Sequence, residues 1–184
     1  MKRLKKSRIG IAAALLYCLG VVNVQAASVD QYLQGAKQYQ QKGDYRAAIV
    51  QLKNALQQDP NQAQARLLLA QSYLKIGDGA SAEKELKRAK DLGVKPEQIL
   101  PLLGQAYLQQ RKYKDVLDEL KPDKVAAPKI QAALLAIQGD AYQGLGKNAE
   151  AQKKYTAALK LDADSDGPDS GRAGPLSLPG FMAS

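Results

Sequence analysis

Tyrosine recurs at a nearly fixed interval along this 184-residue chain: Tyr39, Tyr73, Tyr107 and Tyr142 are 34, 34 and 35 residues apart. Three residues before each stands a small residue, Ala36, Ala70, Gly104 and Gly139. A sustained period of this length constrains the fold more than any local propensity. Each copy has to be one supersecondary unit, and such a unit buries its apolar face only by stacking on its neighbours. Further series keep the same spacing at later offsets. Gly43, Gly77, Arg111 and Gly146 form one, Ala48, Ala82, Val116 and Ala151 a second, and Leu52, Leu86, Leu120 and Tyr155 a third.

The spacing inside each unit predicts two helices. Ser28 with Gln31, and Asn61 with Gln64, match the capping-box pattern at the start of a first helix. Gly43 and Gly77 are placed to end first helices, and Asp44 and Asp78 to cap the second ones. Proline after Asp59 disfavours helical backbone in the preceding residue and so separates one unit from the next. The small residues, together with Ala48, Ala82 and Ala151, let partner helices approach closely while the four tyrosines fill the space beside them. The third unit departs from the pattern. It has Arg111 for glycine and Val116 for alanine, Asp123 where the others have Ala55, Ala89 and Ala158, and a Lys121-Pro122 step that should cut its second helix short.

These features resemble the tetratricopeptide repeat over roughly residues 28 to 161. The resemblance implies an all-α, right-handed superhelical solenoid of about four helix-turn-helix repeats, with units at about 29–62, 63–96, 97–131 and 132–162. It also implies a groove lined by the first helices. The residues it assigns to that groove are Lys37, Gln71, Gln105 and Asp140, with Gln40, Gln41, Lys75, Gln109 and Gln143 beside them. This surface is polar and rich in glutamine, whose amide offers both donors and an acceptor to a peptide backbone or to sugar hydroxyls. It lacks the Lys, Arg and Asn cluster of a clamp for a peptide's terminal carboxylate. The basic run Lys84, Lys87, Arg88 and Lys90, interleaved with Glu83, Glu85 and Asp91, is expected to be a solvated outer face.

The two ends differ from the repeats. Residues 1–26 hold no acid, begin with Lys2, Arg3, Lys5, Lys6 and Arg8, continue as an apolar run shorter than the ~20 residues of a spanning helix, and end in Val24-Gln25-Ala26. A signal peptide cut near Ala26 is expected, and with it an exported, periplasmic protein. Cys18 raises the alternative of a lipid-anchored form if it is acylated, although Leu16-Tyr17 before it and Leu19 after it are a poor lipoprotein context. From 163 to 184 the helical period gives way to Gly, Pro, Ser and Asp, which predicts a disordered tail. With no polar capping helix after the fourth unit, self-association around Leu159 and Leu161 is expected.

The leader, GDYRAAIVQLKNALQQDPN, LLLAQSYLKIGDGASAEKELKRAKDLGV and LPLLGQAYLQQRKYKDVLDEL together resemble the N-terminal part of the PEP-CTERM system TPR-repeat proteins. That resemblance implies a non-catalytic scaffold for proteins of the cell envelope in exosortase-associated exopolysaccharide production. The alternative is direct binding of exopolysaccharide. Composition points away from other classes. Histidine is absent and there is one cysteine, so the commonest general base and metal ligand is missing, and no catalytic residue, cofactor or metal site is assigned. Of the net charge of +9, the leader holds five positive charges, and the remaining 22 basic against 18 acidic residues are too nearly balanced to imply a nucleic-acid partner.

Overall fold

A computed structural model describes residues 28–165, with side chains to 163. The expected signal peptide, Cys18 and nearly all of the expected tail lie outside the described residues. Among these, four helix pairs follow one another and no strand occurs. The pairs are α1 (Val29–Gln41) with α2 (Tyr45–Gln58), α3 (Ala63–Lys75) with α4 (Gly79–Asp91), α5 (Pro96–Gln109) with α6 (Tyr113–Glu119), and α7 (Pro128–Gly144) with α8 (Asn148–Ser165). The fourth pair therefore begins four residues before the expected edge at 132. Its last helix runs to 165 rather than stopping at 162.

Side-chain caps set the starts of α1, α2 and α4. Ser28 Oγ accepts from the Gln31 N–H and Gln31 Oε1 from the Ser28 N–H, which completes the first capping box. The second is not formed. Asn61 instead donates its N–H to Asp59 Oδ1 in a local turn, and α3 starts from Gln62 without a side-chain cap. Asp44 and Asp78 cap α2 and α4 by accepting from the Ala47 and Ser81 N–H groups, each at 3.0 Å. Pro122 does shorten α6 to seven residues, and a 3₁₀ turn, Pro122–Lys124, follows it.

Gly43, Gly77 and Gly146 adopt φ of 77°, 81° and 74° at the turns within their pairs. Arg111 holds the same position in the third pair at φ 57°, where a Cβ is disfavoured. Arg111→Gly is therefore expected to raise stability by about 1 kcal/mol, read as a higher urea midpoint at unchanged slope.

First helices touch first helices along the array, α1 to α3, α3 to α5 and α5 to α7, and each second helix packs on the next first helix. The second helices α2, α4, α6 and α8 do not approach one another closely, so the first helices form one continuous layer. The core divides at α3. Leu33, Ala48, Leu52 and Leu69 belong to one cluster, Leu86, Leu103, Tyr107 and Leu134 to the other, and the half-buried Tyr73 touches both.

Of the residues expected to pack the repeats, Ala36, Ala48, Ala70, Ala82 and Ala151 are buried. Tyr107 is fully buried, Tyr73 and Tyr142 are half-buried, and Tyr39 is exposed. Tyr39 follows only from the period, since no unit precedes it among the described residues to cover its ring. Gly104 and Gly139 are close-packed: a Cβ on Gly104 would lie 2.6 Å from Leu120 Cδ2, and one on Gly139 2.5 Å from the Tyr155 ring.

The basic run on α4 is the solvated face expected of it, with Lys84, Lys87, Arg88 and Lys90 all exposed, but two of the acids interleaved with it turn inward. Glu85 is buried and bonded to Arg66 Nη1 of α3 at 2.6 Å. Glu83 accepts from Lys87 and Lys112 at 2.7 Å and from Gln110 Nε2 at 2.9 Å, which ties the second pair to the third. Glu83 thus serves the junction between the second and third repeats, and Glu85 holds α4 on α3 within the second. Burial pushes the Glu83 carboxyl up, but the hydrogen bonds from Lys112, Lys87 and Gln110 outweigh it and hold it down to about 2, against an ordinary 4.5. A carboxyl lowered on folding stabilises above its unfolded value and loses that contribution as pH falls through its folded value. Stability at this junction is thus expected to decline as pH falls from about 4.5 toward about 2. Urea unfolding of wild type and Glu83→Gln checks it, since the substituted chain should lose less across that window.

Candidate functional site

An opening lies on the layer of first helices, a cavity of about 840 Å³ that spans α1, α3 and α5. The period builds it, because Lys37, Gln71 and Gln105 occupy one repeat position and Gln41, Lys75 and Gln109 another. All six line the cavity, and so does Gln40. Two of the predicted nine residues do not. Tyr155 stands where the earlier units have Leu52, Leu86 and Leu120; it packs against Gly139 and donates its hydroxyl to Asp140 Oδ1 at 2.7 Å, 3.2 Å from Gln143 Oε1. Asp140 and Gln143 are thereby tied to α8 outside the cavity. Burial raises the Asp140 carboxyl above its usual range against the lowering effect of that hydroxyl.

The glutamines differ in what they have free. Gln40 Nε2 donates to the Leu68 carbonyl at 3.0 Å and to Ser72 Oγ at 2.9 Å, which clamps α1 onto α3. Gln109 Nε2 donates to the Leu74 carbonyl at 2.9 Å and does the same for α5 on α3. These two are joints between repeats as well as parts of the wall. The side chains of Gln41, Gln71 and Gln105 make no hydrogen bond within the described residues, and neither do those of Lys37 and Lys75. Their polar groups face the opening uncommitted.

Sequence reasoning missed the floor of the cavity, Leu68, Leu74 and Leu102, and Tyr45 at its side. Leu68 and Leu102 stand one repeat apart, so the same period that located the glutamines contained the signal. Among the described residues no group of three or more His, Cys, Asp or Glu is placed to hold a metal ion, and no helix is long and apolar enough to cross a membrane.

Two family models of the tetratricopeptide repeat match the sequence, one over residues 39–105 and the other over 132–165. The chain carries tetratricopeptide repeats. Proteins built from this repeat are in general non-catalytic scaffolds for protein–protein interaction. The solenoid is also similar to two solved structures. One, titled "MamA MSR-1 C2", is 17% identical with a TM-score of 0.64, over 79% of this chain and 83% of that one. The other, "Crystal structure of MamA", is 24% identical with a TM-score of 0.58, over 74% and 80%. At these identities the likeness concerns the fold alone. No curated protein gives a significant match.

Proposed function

We propose that the chain is a non-catalytic scaffold of the cell envelope whose first-helix groove holds partner proteins, in a PEP-CTERM and exosortase-associated system of exopolysaccharide production. The observation that carries the binding role is the opening across α1, α3 and α5, where Gln41, Gln71 and Gln105 leave their amides unpaired above a leucine floor. An uncommitted amide at a rim and apolar side chains beneath it match what an extended chain offers, a polar backbone with side chains on alternate faces. The basic, acid-free leader supports export to the periplasm, and acylation of Cys18 would anchor the protein to the membrane. The system itself rests on the resemblance of residues 1–161.

A photo-crosslinking residue placed at Gln105, and as a control at the exposed Arg46 of α2, tests this in cells. The expected result is an adduct with an envelope protein from position 105 alone, on a chain whose mature N-terminus is Ala27. Adducts of equal yield from both positions would sink the groove as the binding surface, and an uncleaved chain in the cytosol would sink the envelope role. Adducts with polysaccharide instead of protein would favour direct glycan binding.

A further inference from the structure

The charge of the groove is one-sided. Lys37 on α1 and Lys75 on α3 line it, and no acidic residue does. Both lysines are exposed and without an ion pair among the described residues, whereas Arg66, Lys87 and Lys112 are each committed to a glutamate. On α5 the wall is neutral, with Leu102, Gln105 and Gln109. The one carboxylate at an equivalent position, Asp140 on α7, is bonded to Tyr155 outside the cavity. Within the groove, positive charge is therefore left unmatched at the α1–α3 end.

We infer that the groove takes an internal, extended acidic segment of a partner protein, its carboxylates against Lys37 and Lys75 and its main chain against Gln71 and Gln105. This deepens the scaffold reading and rests on it. Three first helices cover two interaxial steps of about 8–10 Å each, and an extended chain rises about 3.3 Å per residue. The segment in contact is thus about six residues long. Alternate side chains of such a segment meet Leu68, Leu74 and Leu102, a floor that gives sugar hydroxyls no hydrogen-bond partner. The two lysines sit on different helices rather than converging on one point, so they suit carboxylates spread along a segment better than a single terminal carboxylate.

Selection of a random hexapeptide library, acetylated at one end and amidated at the other, on the immobilised full chain tests the inference. An enriched pool rich in Asp and Glu is expected. Its members should bind Lys37→Ala/Lys75→Ala about tenfold more weakly, lose affinity between roughly 0.05 and 0.5 M salt, and bind Asp140→Asn as they bind wild type. A neutral or basic pool that is lost on Gln71→Ala/Gln105→Ala would overturn the acidic assignment and leave the scaffold reading standing. Absence of any enriched pool would overturn both. Binding of a soluble polyuronate in place of peptides, dependent on the same lysines, would do so as well.

Discussion

Arg66→Ala is expected to destabilise the protein by about 3–5 kcal/mol, among the largest losses any single substitution here would cause. Arg66 lies on α3, where the two core clusters meet, and only 9% of its surface is exposed. Its Nη1 donates to Glu85 Oε2 at 2.6 Å and its Nε to the Pro60 carbonyl at 3.0 Å, with Nη2 on the same carbonyl. One guanidinium thus joins α3, α4 and the link between the first two repeats. Removing it leaves the Glu85 carboxylate buried with only Arg88 near, at 3.7 Å, and an uncompensated buried charge costs more than the pair gained. The double substitution Arg66→Met/Glu85→Met should recover most of the loss, because neither charge is then buried. In an array held by nearest-neighbour contacts the damage is also local. Urea unfolding followed by circular dichroism should therefore broaden or divide for Arg66→Ala and return to one transition for the double variant. A single transition at the wild-type midpoint for Arg66→Ala would show that the pair is not a junction.

Tyr107→Ala should cost a similar amount, about 3–5 kcal/mol, for a different reason. Tyr107 is the largest side chain buried to this degree, 1% exposed, in the larger core cluster. Truncation leaves a cavity that the surrounding helices close only in part. The hydroxyl is a smaller matter. It donates to Glu119 at 2.7 Å, which secures the short α6, and burial with that glutamate raises the phenol above its ordinary range. Lys87 and Lys112 lie over the ring at 5.7 and 5.8 Å. Tyr107→Phe keeps the ring and these cations and should lose only about 1.5–3 kcal/mol, as expected of a hydrogen bond to a charged group. A Phe variant as unstable as the Ala variant would place the energy in the hydroxyl instead of the packing.

Both residues also mark how far the sequence could be read. Tyr107 was legible, because a tyrosine kept at one offset and paired with a small residue three before it reads as a packing position. The same reasoning put Tyr39 among the packed residues, yet Tyr39 is exposed. A period states which positions are equivalent; whether a neighbour covers them depends on place in the array. Arg66 and Glu85 were not legible, since a lone arginine ahead of an apolar run and a glutamate within a charged run each look solvated on their own. Their meaning comes from where the α3–α4 hairpin puts them, 19 residues apart and facing inward.

The groove divides along the same line. Equivalence under the repeat was enough to collect Lys37, Gln41, Gln71, Lys75, Gln105 and Gln109 on one layer, because a solenoid repeats its geometry with its sequence. It was not enough to say which amides are spent. Gln40 and Gln109 donate to carbonyls of the next or preceding repeat, and Asp140 and Gln143 are drawn away by a tyrosine that replaces a leucine in the fourth unit. By itself the sequence determined the helix pairs and the early end of α6, since these follow from local caps, proline and a regular period, and its resemblance to the tetratricopeptide repeat implied the solenoid and the face on which a groove forms. The tertiary structure alone decided which polar groups hold repeats together and which remain open, because that depends on donors and acceptors brought within 3 Å of one another from different units.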